Sequence, residues 1–278
     1  MPVIQVGLVD KTGKINPELL HETAAALNIQ VIRDLPQYWN IQATVIYLPH
    51  TKKVPAGVWP VYLVATLPPG EGGFHLDQNN QPYSKVIASP TSNEWTIDAS
   101  HETLEMLVDP HGNRLQSARA IAVAADGSIQ DGDGEFNYLV EASDPCEADN
   151  YGYSIQGIAV SDFITPHFYD GAASPGVKYS FTGAIQAPRR LLPGGYISYV
   201  NLSTNQWEQI LWVDPSQPPT VKVLGPASGA NSLRVWIDST VAAHRNHHGY
   251  KRALNHALLA RCEHHRAQLA AAAPIDRP

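Results

Sequence analysis

Ser100-His101-Glu102-Thr103-Leu104-Glu105, continuing to Asp109-Pro110, is the stretch whose residue types and spacing suit metal chemistry. On a helix, residues four apart stand on one face. His101 and Glu105 can therefore hold one divalent ion between an imidazole nitrogen and a carboxylate oxygen. Glu102 lies about 100° further round such a helix. A carboxylate there can act as general base, taking a proton from a metal-activated water. Glu105 stands where the usual motif has a second histidine. A carboxylate is an acceptable but harder ligand, so zinc is the first expectation, with manganese, iron and calcium as alternatives. Asp109 sits about 12 Å along the axis from His101, too far to share its ion, and reads as a cap on the turn that Pro110 begins. The same stretch also reads as a plain amphipathic helix, with Leu104, Leu107 and Val108 in the core and the acids in water.

A second acidic cluster follows at Glu141, Asp144 and Glu147. If that segment is helical, Glu141 and Asp144 share a face. Glu141 then suits a third metal ligand, and Asp144 suits a group that hydrogen-bonds the ligating histidine; the two roles can be exchanged. A solvated acidic turn is the competing account. Cys146 reads as a buried thiol. The hydroxyls of Tyr151 and Tyr153 can support an oxyanion or simply pack. His75, with Asp77, can line the cleft or hold a second ion, or stabilise its glycine-rich loop through local hydrogen bonds. His167 is a reserve ligand. Asp126, Asp131, Asp133 and Glu135 miss the order of a calcium loop and read as turn chemistry. Ser161-Asp162 lacks the glycines of a nucleophile elbow.

Ser-His-Glu-x-x-Glu-x-x-x-Asp-Pro at 100–110 and Glu-x-x-Asp-x-Cys at 141–146 together resemble a group of uncharacterised bacterial zincin-like metallopeptidases. Gly73-Phe74-His75-Leu76-Asp77 and Val160-Ser161-Asp162-Phe163 resemble the same group, and the likeness covers roughly residues 40–200. The resemblance implies a metal site built from His101, Glu105 and one of the later acids. It implies no particular substrate.

The elements that must position these residues are an alternating strand at 2–9, a helix from Asn16-Pro17 to about residue 36, and strands at 43–48 and 61–66. A long Gly/Pro/Asn loop at 67–82, a short strand at 84–89 and a helix at 99–108 follow. Residues 114–238 read as loop-rich with short strands, and 239–273 as one terminal helix. The expected fold is α+β and zincin-like: a mixed sheet, an N-terminal helix and an active-site helix, then a loop-rich half and a C-terminal helix. The expected units are 1–113, 114–238 (supplying the third ligand) and 239–278.

With 278 residues, 44% hydrophobic and 16% charged, the chain can bury a sizeable core. A net charge of -7 argues against nucleic acid, and no apolar run is long enough to span a membrane. The N-terminus lacks the pattern of a secretory signal, and Cys146 and Cys262 form no disulfide framework. The cytoplasm is the default location, with signal-less export left open. The terminal segment carries six of the twelve histidines, and its stripe of Leu254, Leu258 and Cys262 suggests docking or self-association. Together these readings predict a metal-dependent hydrolase acting on peptide or protein substrates. The alternatives are an inactive zincin-like protein that binds a partner or a structural ion, and a structural or assembly protein resting on the terminal helix and long loops.

Overall fold

The structure is a computed structural model that describes residues 3–49, 53–68, 72–226, 232–241 and 255–272. It is α+β, with two five-stranded sheets and four helices among the described residues.

The first sheet contains β1 (Ile4–Asp10), β2 (Ala43–Tyr47), β3 (Val58–Val64), β4 (Gly73–Gln78) and β5 (Gln81–Ile87), in the order β2-β1-β3-β5-β4. β1, β2, β3 and β5 run parallel, and β4 lies antiparallel on the edge. β1 occupies the middle of the parallel set, which is why its Val6, Leu8 and Val9 are fully buried. Helix α1 (Pro17–Ile29) connects β1 to β2. Asn16 caps it by accepting from the Glu18 amide at 2.8 Å, and Pro17 opens it. A π turn at Gln30–Asp34 and a 3-10 turn at Leu35–Gln37 carry the chain onward, so regular helix ends earlier than residue 36.

The segment expected as a loop at 67–82 instead contains β4. Asn79 and Asn80 both take left-handed backbone (φ 56° and 59°) and close a two-residue hairpin into β5. That turn matches the right-handed twist of the strands it joins.

Helix α2 (Trp95–Val108) carries the motif and begins four residues before the expected start. It lies against β4 and β5 on one side and against β9 (Ile158–Val160), the partner of β8 (Tyr153–Ile155), on another. Of its residues only Asp98 is not buried. The reading with acids in water is therefore overturned: Glu102 is 4% exposed and Glu105 0%.

The second half holds more strand than expected. β6 (Leu115–Val123), β7 (Ile129–Leu139), β10 (Tyr196–Asn201), β11 (Gln206–Leu211) and β12 (Thr220–Gly225) form an antiparallel sheet in the order β12-β11-β10-β7-β6. Asp131-Gly132-Asp133-Gly134 is not a turn but lies inside β7, where the register with β6 shifts between Arg119 and Ile121 and Gly134 takes φ 82°. One apolar core joins Val6 and Leu8 of the first sheet to Tyr138 and Ile197 of the second.

Of the helix expected at 239–273, the described residues show α3 (Leu233–Val241), which begins earlier, and α4 (Asn255–Ala272), and the boundary at 238 falls within α3. Residues 242–254, with His244, His247, His248 and Leu254, and residue 273 lie outside the described residues. Leu258 and Cys262 of α4 pack on Ile97 and Ala159. The described part of the apolar stripe thus packs against this chain's own α2 and β9. No helix among the described residues is long and apolar enough to cross a membrane.

Candidate metal centre

Helix α2 is fixed by polar contacts before it presents the motif. Gln30, buried in the π turn, donates to the Ser161 carbonyl at 3.0 Å and accepts from the Ser100 hydroxyl at 2.8 Å. Ser100 Oγ in turn accepts from the Ser161 amide at 2.9 Å. Ser100 immediately precedes His101, so this closed set of bonds holds the start of the motif against β9. A π turn near such a site is a common device. At the other end, the Asp109 carboxylate accepts from the amides of Asn113 (3.1 Å) and Arg114 (2.8 Å), the capping role its position predicts.

Four carboxylates, two imidazoles and one guanidinium meet at the buried face of α2. His101 Nε2 stands 3.2 Å from Glu105 Oε2 and 3.3 Å from Asp144 Oδ1. His75 Nδ1 stands 3.6 Å from both Glu102 Oε2 and Glu105 Oε2. Ligand atoms about 2.1 Å from one ion at tetrahedral angles are about 3.4 Å apart. The contacts thus have the edge lengths of a coordination polyhedron. Two groups, His101–Glu105–Asp144 and His75–Glu102–Glu105, could hold a metal ion. Both are also engaged in ion pairs, and the donor atoms alone do not select one metal.

Arg234 of α3 supplies the countercharge. Its Nη1 lies 3.0 Å from Glu141 Oε2, 3.1 Å from Asp144 Oδ2 and 3.5 Å from Glu105 Oε2. Its Nε pairs with Asp238 at 2.9 Å, and Nη2 donates to the Tyr196 hydroxyl at 3.1 Å. Burial opposes its charge, but Asp238 and Glu141 outweigh burial and hold the guanidinium charged. Burial pushes the Glu141 carboxyl well above the usual range, offset only in part by Arg234. Burial also opposes ionisation of Glu105, yet His101, His75 and Arg234 together hold it well below that range. Both histidines are buried, which disfavours the imidazolium. The surrounding acids, Glu141 foremost for His75 and Glu105 for His101, more than reverse this and raise both pKa values well above 6.5.

Several buried polar atoms lack a hydrogen-bond partner: His75 Nδ1, His101 Nδ1, Glu102 Oε2, both Glu141 oxygens and Asp144 Oδ1. The Glu141–Arg234 contact is close enough for an ion pair but lacks hydrogen-bond alignment, which reconciles that short distance with the unpartnered oxygens. A cluster of orphaned acceptors in a buried site is what a cation would satisfy.

The expected residues are redistributed. Glu141 and Asp144 do reach α2, but not on one helical face: Glu141 follows β7, and Asp144 opens a 3-10 turn at Asp144–Cys146. Of the two, Asp144 stands beside His101, while Glu141 faces Arg234. His75 does not stabilise a loop; it lies fully buried on β4 inside the cluster. Tyr153 is directed elsewhere, its hydroxyl donating to Asp34 at 2.8 Å and accepting from Gln30 at 3.2 Å. Tyr151 ends a 3-10 turn at Asp149–Tyr151. His167 is half exposed and pairs with Asp170 at 2.8 Å. The tyrosine at the cluster is Tyr196, which residue spacing did not single out, and neither did it single out Arg234.

No protein-family model, curated protein or solved structure matches this chain, so the functional reading rests on the atoms of the cluster.

Proposed function

We propose that the chain is a metal-dependent hydrolase of zincin-like build, with peptide bonds as its substrate class. The observation that carries this reading is the buried group His101–Glu105–Asp144, whose donor atoms stand 3.2–3.3 Å from His101 Nε2, with Glu102 beside it. The succession β1, α1, β2 to β5 and then α2, a strand, a helix, further strands and the motif helix, supports the zincin-like assignment. A bound divalent ion supplies Lewis acidity and makes water a nucleophile near neutral pH. Zinc suits the donors, and the predominance of oxygen keeps manganese and iron close behind. Glu102 takes the proton of the attacking water through the oxygen that lacks a hydrogen-bond partner. Arg234 helps keep Glu105 ionised and orients Asp144.

The discriminating experiment combines metal analysis with cleavage of casein or a peptide library. Glu102→Gln should retain an ion on His101, Glu105 and Asp144 yet lose hydrolysis, and His101→Ala should lose that ion. Equal bound metal in wild type and His101→Ala overturns the site. A second reading, a non-catalytic protein with a structural ion, is favoured by Arg234 sitting among three of the acids and by the 5% exposure of His101. It predicts metal-dependent melting with no hydrolysis under any divalent metal.

A further inference from the structure

We propose that the cluster takes two divalent cations, the second on His75 Nδ1, Glu102 and Glu105, with Glu105 shared between them. The inference deepens the reading above and rests on its first position being a metal site.

His75 carries the argument. It is fully buried on β4, and its Nε2 lies 3.1 Å from the Asp109 carbonyl oxygen. A carbonyl can only accept, so Nε2 bears the proton and donates it, fixing the tautomer and the ring. In that neutral tautomer Nδ1 presents a lone pair, has no hydrogen-bond partner, and faces Glu102 Oε2 and Glu105 Oε2 at 3.6 Å each. Three lone-pair donors pointing together repel one another unless a cation lies between them. A proton on Nδ1 eases this repulsion in the metal-free protein, but at 3.6 Å it makes no hydrogen bond to either oxygen, so a divalent ion can displace it.

The backbone leaves room for this arrangement. A Cβ on Gly73 of β4 would fall 2.7 Å from Glu102 Oε1 and 2.9 Å from its Cγ. Only a bare glycine lets Glu102 lie against the strand that carries His75. Glu105 is suited to sharing: its Oε1 accepts from the Ser143 amide at 3.1 Å, leaving Oε2 to face both imidazoles. Ions bridged in this way stand about 3.5–4 Å apart. Charge points the same way. The four carboxylates of the cluster and Asp238 outnumber the single guanidinium of Arg234, an excess of acid that one divalent ion leaves uncompensated. Glu102 becomes a ligand when the second position fills, and Glu141, outside both groups, is then the carboxylate left beside the pair.

The test uses the full chain with zinc alone for calorimetric stoichiometry, and with manganese alone for electron paramagnetic resonance. Wild type should bind two ions and show an exchange-coupled manganese spectrum. His75→Ala should bind one and lose the coupling. His75→Gln, which can still donate to the Asp109 carbonyl, guards against a folding defect and should behave alike. One ion in wild type, unchanged by either variant, overturns the second position and leaves the one-ion hydrolase standing. No bound ion in wild type overturns both.

Discussion

Replacing Arg234 with Met tests the electrostatic account most directly. Met keeps an unbranched apolar stem, and the backbone contacts that dock α3 (the Arg234 amide on the Gly112 carbonyl at 3.0 Å, the Leu233 amide on Asn113 at 2.8 Å) do not involve the lost side chain. What disappears is the cation within 3.0–3.5 Å of Glu141, Asp144 and Glu105. Removing one partner of a buried ion pair costs about 3–5 kcal/mol. Glu141, which burial already pushes toward the protonated form, takes a proton in the variant and keeps the loss near the lower end at pH 7. With an unfolding entropy of about 2.1 cal/mol/K per residue, 278 residues give about 0.6 kcal/mol/K, so Tm should fall by about 5–9 °C without metal. Metal binding should respond in the opposite direction. A unit charge 4 Å away acts on each unit of ion charge with about 4 kcal/mol at an effective dielectric of 20. Even after relaxation, losing that repulsion should tighten zinc binding by about tenfold or more. Zinc at a hundred times its Kd then returns about 2.7 kcal/mol, most of the lower-end loss. Differential scanning calorimetry and zinc titration read both effects. If Arg234→Met melts with wild type, or falls without any gain in zinc affinity, Arg234 is not the countercharge of a cation site.

Two other perturbations probe the same centre. Gly73→Ala places a methyl 2.7 Å from Glu102 Oε1, so reaching ordinary contact at 3.4 Å needs a shift of about 0.7 Å in a buried side chain; it should cost about 1–3 kcal/mol of stability and at least tenfold in hydrolysis, and wild-type activity would refute the contact. The pH dependence follows from the raised histidines: their stabilising contribution is complete below about pH 6.5 and is lost as pH rises through their higher folded pKa values. Metal-free protein should therefore lose Tm on the alkaline side while zinc-loaded protein does not. Since the ion must displace those protons, zinc affinity should rise with pH over the same window, with proton release visible as buffer-dependent binding enthalpy.

The sequence by itself determined the local parts of this protein. The buried run of β1, the Asn16-Pro17 start of α1, the motif helix and the capping role of Asp109 all follow from short-range periodicity and turn chemistry, which act within a few residues. The Asn79-Asn80 hairpin was equally local, but the glycines and prolines around it masked the alternation of Phe74 to Leu76. In β7 the reverse happened: Asp-Gly pairs signal turns, yet pairing with β6 accommodates them as a bulge, so tertiary contact overrode propensity. Only the tertiary structure decided the centre. His75 lies 34 residues before Asp109, Ser143 lies 38 after Glu105, and Arg234 lies 129 after Glu105. No periodicity links residues so far apart, and packing α2 beneath β4 with α3 against its C-terminal turn is what brings them into one buried cluster. The motif residues His101, Glu102 and Glu105 were legible because a helix fixes their spacing. Their burial, their countercharge and their histidine partner were not, because these depend on what the rest of the chain places against that helix.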